Sequence, residues 1–201
     1  MYRKFYLTIL LLICFVSIRL IPAFSESTIA EMLANISPLA ALALCGGMIL
    51  PMRLAMILTF GTFLISDAIL NIKYGFSIFT PYTFFLLTIF AGIYFIGYSL
   101  RRKKRFSVLL GATLVSSIFF YFIANSVSFI FDPGYQKNFT GWIIANTKGL
   151  PGYPPAWLFG IKFILSNALF ASAFYFALMP RNETIELAIP GTQKFKNLTV
   201  K

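Results

Sequence analysis

The chain has no histidine, which removes Ser-His-Asp triads and most imidazole metal sites. Its two cysteines, Cys14 and Cys45, both fall inside apolar runs, leaving little for thiol-zinc or redox chemistry. Acidic residues are scarce, six against seventeen lysines and arginines, and charges of both signs make up only 11% of 201 residues. No Gly-rich loop ends in Lys-Ser or Lys-Thr, so there is no phosphate cradle, and neither a metal nor another cofactor is expected. What is missing above all is polar surface: 59% of the residues are hydrophobic, 18% are aromatic, and the mean hydropathy is +0.82. This is the composition of a membrane protein.

The apolar runs predict an all-α integral membrane bundle of six transmembrane helices at residues 5–24, 37–51, 54–70, 81–100, 106–131 and 155–179, in one domain, 1–180, followed by a basic cytoplasmic tail, 181–201. The first run resembles a signal peptide, with Ala23-Phe24-Ser25 at a plausible cleavage spacing. It is read as a retained span, with removal as the alternative. The second is short for a crossing, with Ser37 as the expected N-cap and Pro38 in the first turn; it must borrow residues, tilt, or sit against protein. Pro51 and Arg53 separate it from the third.

A net charge of +11 invites a nucleic-acid reading, because Arg101-Arg102-Lys103-Lys104-Arg105 is contiguous. That run lies between two apolar segments, where it fixes topology instead, with anionic lipid or a cytoplasmic partner as secondary uses. An inside amino terminus places twelve of the seventeen cations on the cytoplasmic face and only Lys73, Lys137 and Lys148 outside. Both termini are then cytoplasmic.

Charge within hydrocarbon is costly unless it faces a protein interior or a wet cavity. Helical rise places Arg19, Asp67 and Lys162 at one depth, each about 20 Å from the cytoplasmic face. With Ser66, Asn71, Asn125 and Asn167 they outline an outward-facing polar pocket of charge +1 for an anionic or carboxylate-bearing solute. The alternative has Arg19 and Lys162 snorkelling to headgroups while Asp67 ties helices together. The loop from Asp132 to Pro154, with Tyr135, Phe139, Trp142 and Tyr153, suits interface anchoring or a lid. Ser37, Ala41 and Cys45 form a small-residue face suited to close helix packing or to a sliding contact with another subunit.

Several segments together carry a family likeness: Ser37-Pro38-Leu39-Ala40-Ala41-Leu42-Ala43-Leu44 with Gly46-Gly47, Arg19-Leu20-Ile21-Pro22, Ser66-Asp67, and Ser116-Ser117-Ile118-Phe119-Phe120 leading to Asn125. From Arg19 to about Leu178 the chain resembles an uncharacterised family of small bacterial membrane proteins similar to the substrate-binding S components of energy-coupling factor (ECF) transporters. It departs from the pattern at Asn71, where glycine is expected, at Phe129, where tryptophan is usual, and in an insertion from Ser25 to Ile36. The resemblance implies a subunit that binds a vitamin-like solute from outside and docks on a transmembrane coupling subunit driven by ATPases, with Ser37, Ala41 and Cys45 as the candidate docking face. Such a subunit catalyses nothing itself. Two other readings stand beside it: a membrane scaffold or assembly subunit gripping a cytoplasmic partner through the 101–105 loop, and an intramembrane enzyme with Asp67 and Lys162 as its acid-base pair.

Overall fold

Long runs of Leu, Ile, Phe and Ala with Pro and Gly confined to their ends give helices throughout a computed structural model that describes residues 2–25, 36–103 and 105–178. Seven helices and no strand occur among the described residues: α1 (Tyr2–Phe24), α2 (Leu39–Ile49), α3 (Met52–Lys73), α4 (Pro81–Ser99), α5 (Phe106–Phe131), α6 (Phe139–Ala145) and α7 (Ala156–Leu178). The tail from 181 onward and most of the insertion, residues 26–35, lie outside them. Four helices, α3, α4, α5 and α7, are long and apolar enough to cross a membrane. The exterior is as apolar as the core, and several hydroxyl side chains are enclosed, unlike the arrangement in a soluble domain. Phe84, Phe95, Phe119, Leu165, Leu169 and Phe176 are exposed, whereas Thr59, Thr62, Ser66, Thr83, Thr113 and Ser117 are buried. These surfaces belong to a membrane protein.

The expected third span is longer than residues 54–70, because Pro51 alone breaks the chain and Arg53 already sits in the first turn of α3. Within α3 a π-helical turn at Ile57–Gly61 joins two α-helical stretches.

The expected second span is the most altered. Its 11 residues reach only ~16 Å, about half the ~30 Å of a hydrocarbon core. Apolar on every side, α2 is buried from Leu39 to Met48 and forms the centre of the bundle. Of the ways a short run can be accommodated, it takes enclosure by protein.

Both ends of α2 are closed by other helices. Pro38, not Ser37, is the N-cap residue; the Ser37 hydroxyl only accepts a long bond from Leu39 N, 3.4 Å. The stronger cap comes from α7, where Asn167 Oδ1 accepts from Ala41 N at 2.7 Å while its Nδ2 donates to Phe163 O at 2.8 Å. At the other end Arg101 donates from Nε to Gly47 O at 2.7 Å and from Nη2 to Leu50 O. A cation there also complements the negative end of the helix dipole. One member of the basic run is therefore a C-terminal cap.

Backbones of α2 and α4 nearly touch. A Cβ on Gly47 would lie 2.2 Å from Tyr94 O, and one on Gly97 would lie 2.2 Å from Leu44 O. Around this crossing Phe63, Phe90, Phe120 and Phe163 form a chain of ring contacts with centroids 5.3, 5.4 and 4.4 Å apart, joining α3, α4, α5 and α7. The stretch from Asp132 to Pro154 folds back on α5 through α6: Trp142 Nε1 donates to Ser126 Oγ at 2.8 Å, and Tyr121 OH donates to Asn146 O at 2.6 Å. Phe139 and Tyr153 stay exposed, as headgroup anchors would.

Candidate functional site

Arg19 sits near the C-terminal end of α1, where α3 presents it with acceptors. Its Nη1 donates to Ser66 Oγ at 2.6 Å and Phe63 O at 3.3 Å, and its Nη2 pairs with Asp67 Oδ1 at 3.4 Å. The guanidinium also lies over the Phe63 ring, 5.2 Å from its centroid. Ser66 passes its own proton back to Thr62 O at 2.6 Å, so its lone pairs are left for Arg19.

Asp67 Oδ2 accepts from Thr83 Oγ1 at 2.7 Å and Asn71 Nδ2 at 3.2 Å. Thr83 is at the same time half of a capping box with Thr80 that starts α4, and Asn71 also donates to Ile78 O at 3.1 Å. The turn between α3 and α4 is thereby tied to the carboxylate that holds Arg19. The part-buried pair is held in one geometry on the Asp67 side, where both carboxylate oxygens have partners, the condition under which such a pair is tolerated at low dielectric.

Beside this cluster lies a cavity of about 380 Å³. Arg19 is the one charged side chain among its described lining residues, while Asp67 stands behind Arg19, off the lining. Ser37 and Leu39, at the N-terminal end of α2, line it as well, and six of the lining residues are aromatic: Tyr74, Tyr82, Phe90, Phe120, Phe159 and Phe163. The space therefore combines one cation and the positive end of a buried half-length helix with ring-rich walls.

Of the residues expected at a site, Arg19, Ser66, Asp67 and Asn71 come together. The others do not join them. Lys162 is half-buried on α7 beside Phe163 and outside the cavity lining. Asn125 is part-buried on α5, its Nδ2 without a hydrogen-bond partner among the described residues, and is also off the lining. Asn167 is fully committed to α2 and Phe163. Without Lys162 the expected charge of +1 becomes an Arg19–Asp67 pair with its positive member toward the cavity.

The small-residue face is likewise turned inward. Ala41 and Cys45 are buried against α7, where the Cys45 thiol points at Ala171 O, 3.9 Å away, and Ser37 faces the cavity. Residues 132–154 contribute nothing to the lining, so the loop is placed as an anchor on α5 and not as a lid. The aromatic lining escaped the sequence reading. Phe90, Phe120 and Phe163 look like ordinary lipid-facing residues in a chain with 24 phenylalanines, and only their shared inward azimuth sets them apart.

No curated protein and no solved structure matches the chain. One family profile does, over residues 1–187, and the protein belongs to that family, DUF6580, a family of unknown function.

Proposed function

We propose that the protein is the solute-binding membrane subunit of an uptake transporter for a small anionic, vitamin-like solute, comparable to the S components of ECF transporters. The observation that carries this reading is the cavity with Arg19 as the sole charge among its described lining residues, set over the N-terminus of the half-length helix α2. Non-helical backbone at membrane depth is tolerated where protein encloses it or where it lines a cavity, and Ile36 and Ser37 do the latter. Broken or half-length helices whose N-termini face an anionic group are a recurring device of solute carriers. In this reading α1 and α2 complete six passes with the four long helices, both termini are in the cytoplasm of a bacterium, and solute enters from outside. A coupling subunit and ATPases supply the energy, so the chain itself is not an enzyme. The scaffold alternative draws on the 101–105 loop, but Arg101 is already spent on closing α2.

Mass spectrometry of small molecules co-extracted with the purified full chain tests the proposal. A carboxylate-bearing solute is expected with the wild type and not with Arg19→Gln, together with co-purification of a coupling subunit and ATPases. Wild-type protein that retains no solute and brings down no ATPase would leave the scaffold reading in its place.

A further inference from the structure

We infer that the solute is a planar aromatic monocarboxylate, its carboxylate on Arg19 and its ring against the phenylalanine wall of the cavity; this rests on the solute-binding reading above. Three observations carry it. First, Arg19 has five N–H donors and three described acceptors, Ser66, Phe63 O and Asp67. Nε–H and one Nη2–H are left without an acceptor among the described residues, the number that a carboxylate takes in a bidentate pair. The guanidinium is already fixed by Asp67 and by the Phe63 ring, so little conformational freedom is lost when an anion arrives.

Second, the charge allows one anionic group. Asp67 already offsets Arg19, and the described lining holds no second cation, so a second carboxylate or a phosphate would be desolvated without a partner.

Third, much of the remaining wall is built from rings. Phe120 and Phe163 stack at 4.4 Å with planes 18° apart, Phe90 stacks on Phe120 at 5.4 Å, and Phe159 lies 5.8 Å from Phe163; all four line the cavity. A planar ring continues such a stack, whereas a saturated ring of the same skeleton cannot. At about 380 Å³ the space is near the lower end of small-molecule pockets, which limits the guest to one or two fused rings.

The test is a ligand series on the wild-type full chain in detergent, followed by calorimetry. The probes are naphthoate, its neutral isostere naphthamide, the saturated decahydronaphthoate, and naphthalenedicarboxylate. Naphthoate should bind about tenfold more tightly than naphthamide or the dicarboxylate, since charge-assisted bonds are lost in one and an unpaired charge is buried in the other. It should bind about threefold or more tightly than decahydronaphthoate. In Phe163→Leu the aromatic preference should shrink while the preference for acid over amide stays.

Equal affinity for naphthoate and naphthamide overturns the carboxylate assignment, equal affinity for the dicarboxylate overturns the single-charge limit, and equal affinity for decahydronaphthoate overturns the stacking wall. Each of those results leaves a solute-binding protein standing. If no probe binds and no co-extracted solute is found, the function reading falls as well.

Discussion

Asn167 bridges two helices with one amide, accepting from Ala41 N and donating to Phe163 O. Asn167→Leu keeps the branched skeleton, though not the volume, and strands the buried Ala41 N–H donor, at a cost of about 1–3 kcal/mol or more, read as a lower unfolding midpoint in detergent. Because Asn167 is absent from the cavity lining, solute binding at low temperature should change less than twofold, a result that a ligand-contacting asparagine would not give. Arg101→Met should cost about 1–2 kcal/mol through the lost cap of α2, with Arg101→Lys rescuing only part, since an ammonium cannot fork between Gly47 O and Leu50 O. Arg102→Met, one residue along the same run, should be neutral, because surface charges away from such contacts contribute little. The residues themselves show why the sequence reading reached half of the site. Helical rise gives only an expected depth, the same for Arg19, Asp67 and Lys162, but a site also needs a common azimuth, and the packing of α1 on α3 supplies that for Arg19 and Asp67. Asn71 was legible because it stands one helical turn beyond Asp67 on α3, and Ser66 because it adjoins it, whereas Asn167, equally polar, faces α2 instead.

Among the helices, the α2–α4 crossing sets the tolerance of the bundle. Gly47→Ala or Gly97→Ala would place a methyl 2.2 Å from a carbonyl oxygen of the facing backbone, which cannot swing aside as a side chain can. Either variant should be recovered mostly as aggregate in size-exclusion chromatography. Gly92 on α4 and Gly111 on α5 have nothing within 4 Å of the place an alanine methyl would occupy, so Gly92→Ala and Gly111→Ala should be neutral or stabilising by about 0.5–1 kcal/mol. The contrast separates close approach from helix propensity. The six apolar runs were visible in the sequence because long apolar stretches have few other uses. The true length of α2 was not, since a helix enclosed by protein and a helix enclosed by lipid are both apolar all round. Nor does any residue pattern announce the π-helical turn in α3, where the bonding of Ile57–Gly61 depends on what packs around it, Gly61 against Leu12 among others.

For the whole molecule, hydrogen bonds define two ends. Arg101 joins the α2–α3 turn to the α4–α5 turn at one of them. At the other, Asn71 and Thr83 join α3 to the start of α4, and Lys73 lies over the Phe24 ring at the end of α1, 4.3 Å from its centroid. Since α4 joins these ends, and its 19 residues, ~28 Å of helix, are long and apolar enough to cross a membrane, the ends lie on opposite sides of a bilayer that α4 crosses. The count of crossings therefore turns on α1: with its outer end fixed to α3 and 23 residues of helix, ~34 Å, its amino terminus should emerge beside the α2–α3 turn. Single cysteines introduced into a Cys14→Ala, Cys45→Ala background decide this with a membrane-impermeant thiol reagent on intact cells. Ser77→Cys and Lys148→Cys should be labelled from outside, whereas Met52→Cys, Arg102→Cys and Tyr2→Cys should be labelled only after the cells are opened, the side on which the Arg101–Arg105 cluster is most stable. Labelling of Tyr2→Cys from outside would mean that α1 does not cross and that Arg19 reaches the cavity from the membrane surface. Labelling of Arg102→Cys from outside would invert the bundle and open the cavity to the cytoplasm, and a solute bound there would be leaving the cell or reporting on its interior, not entering.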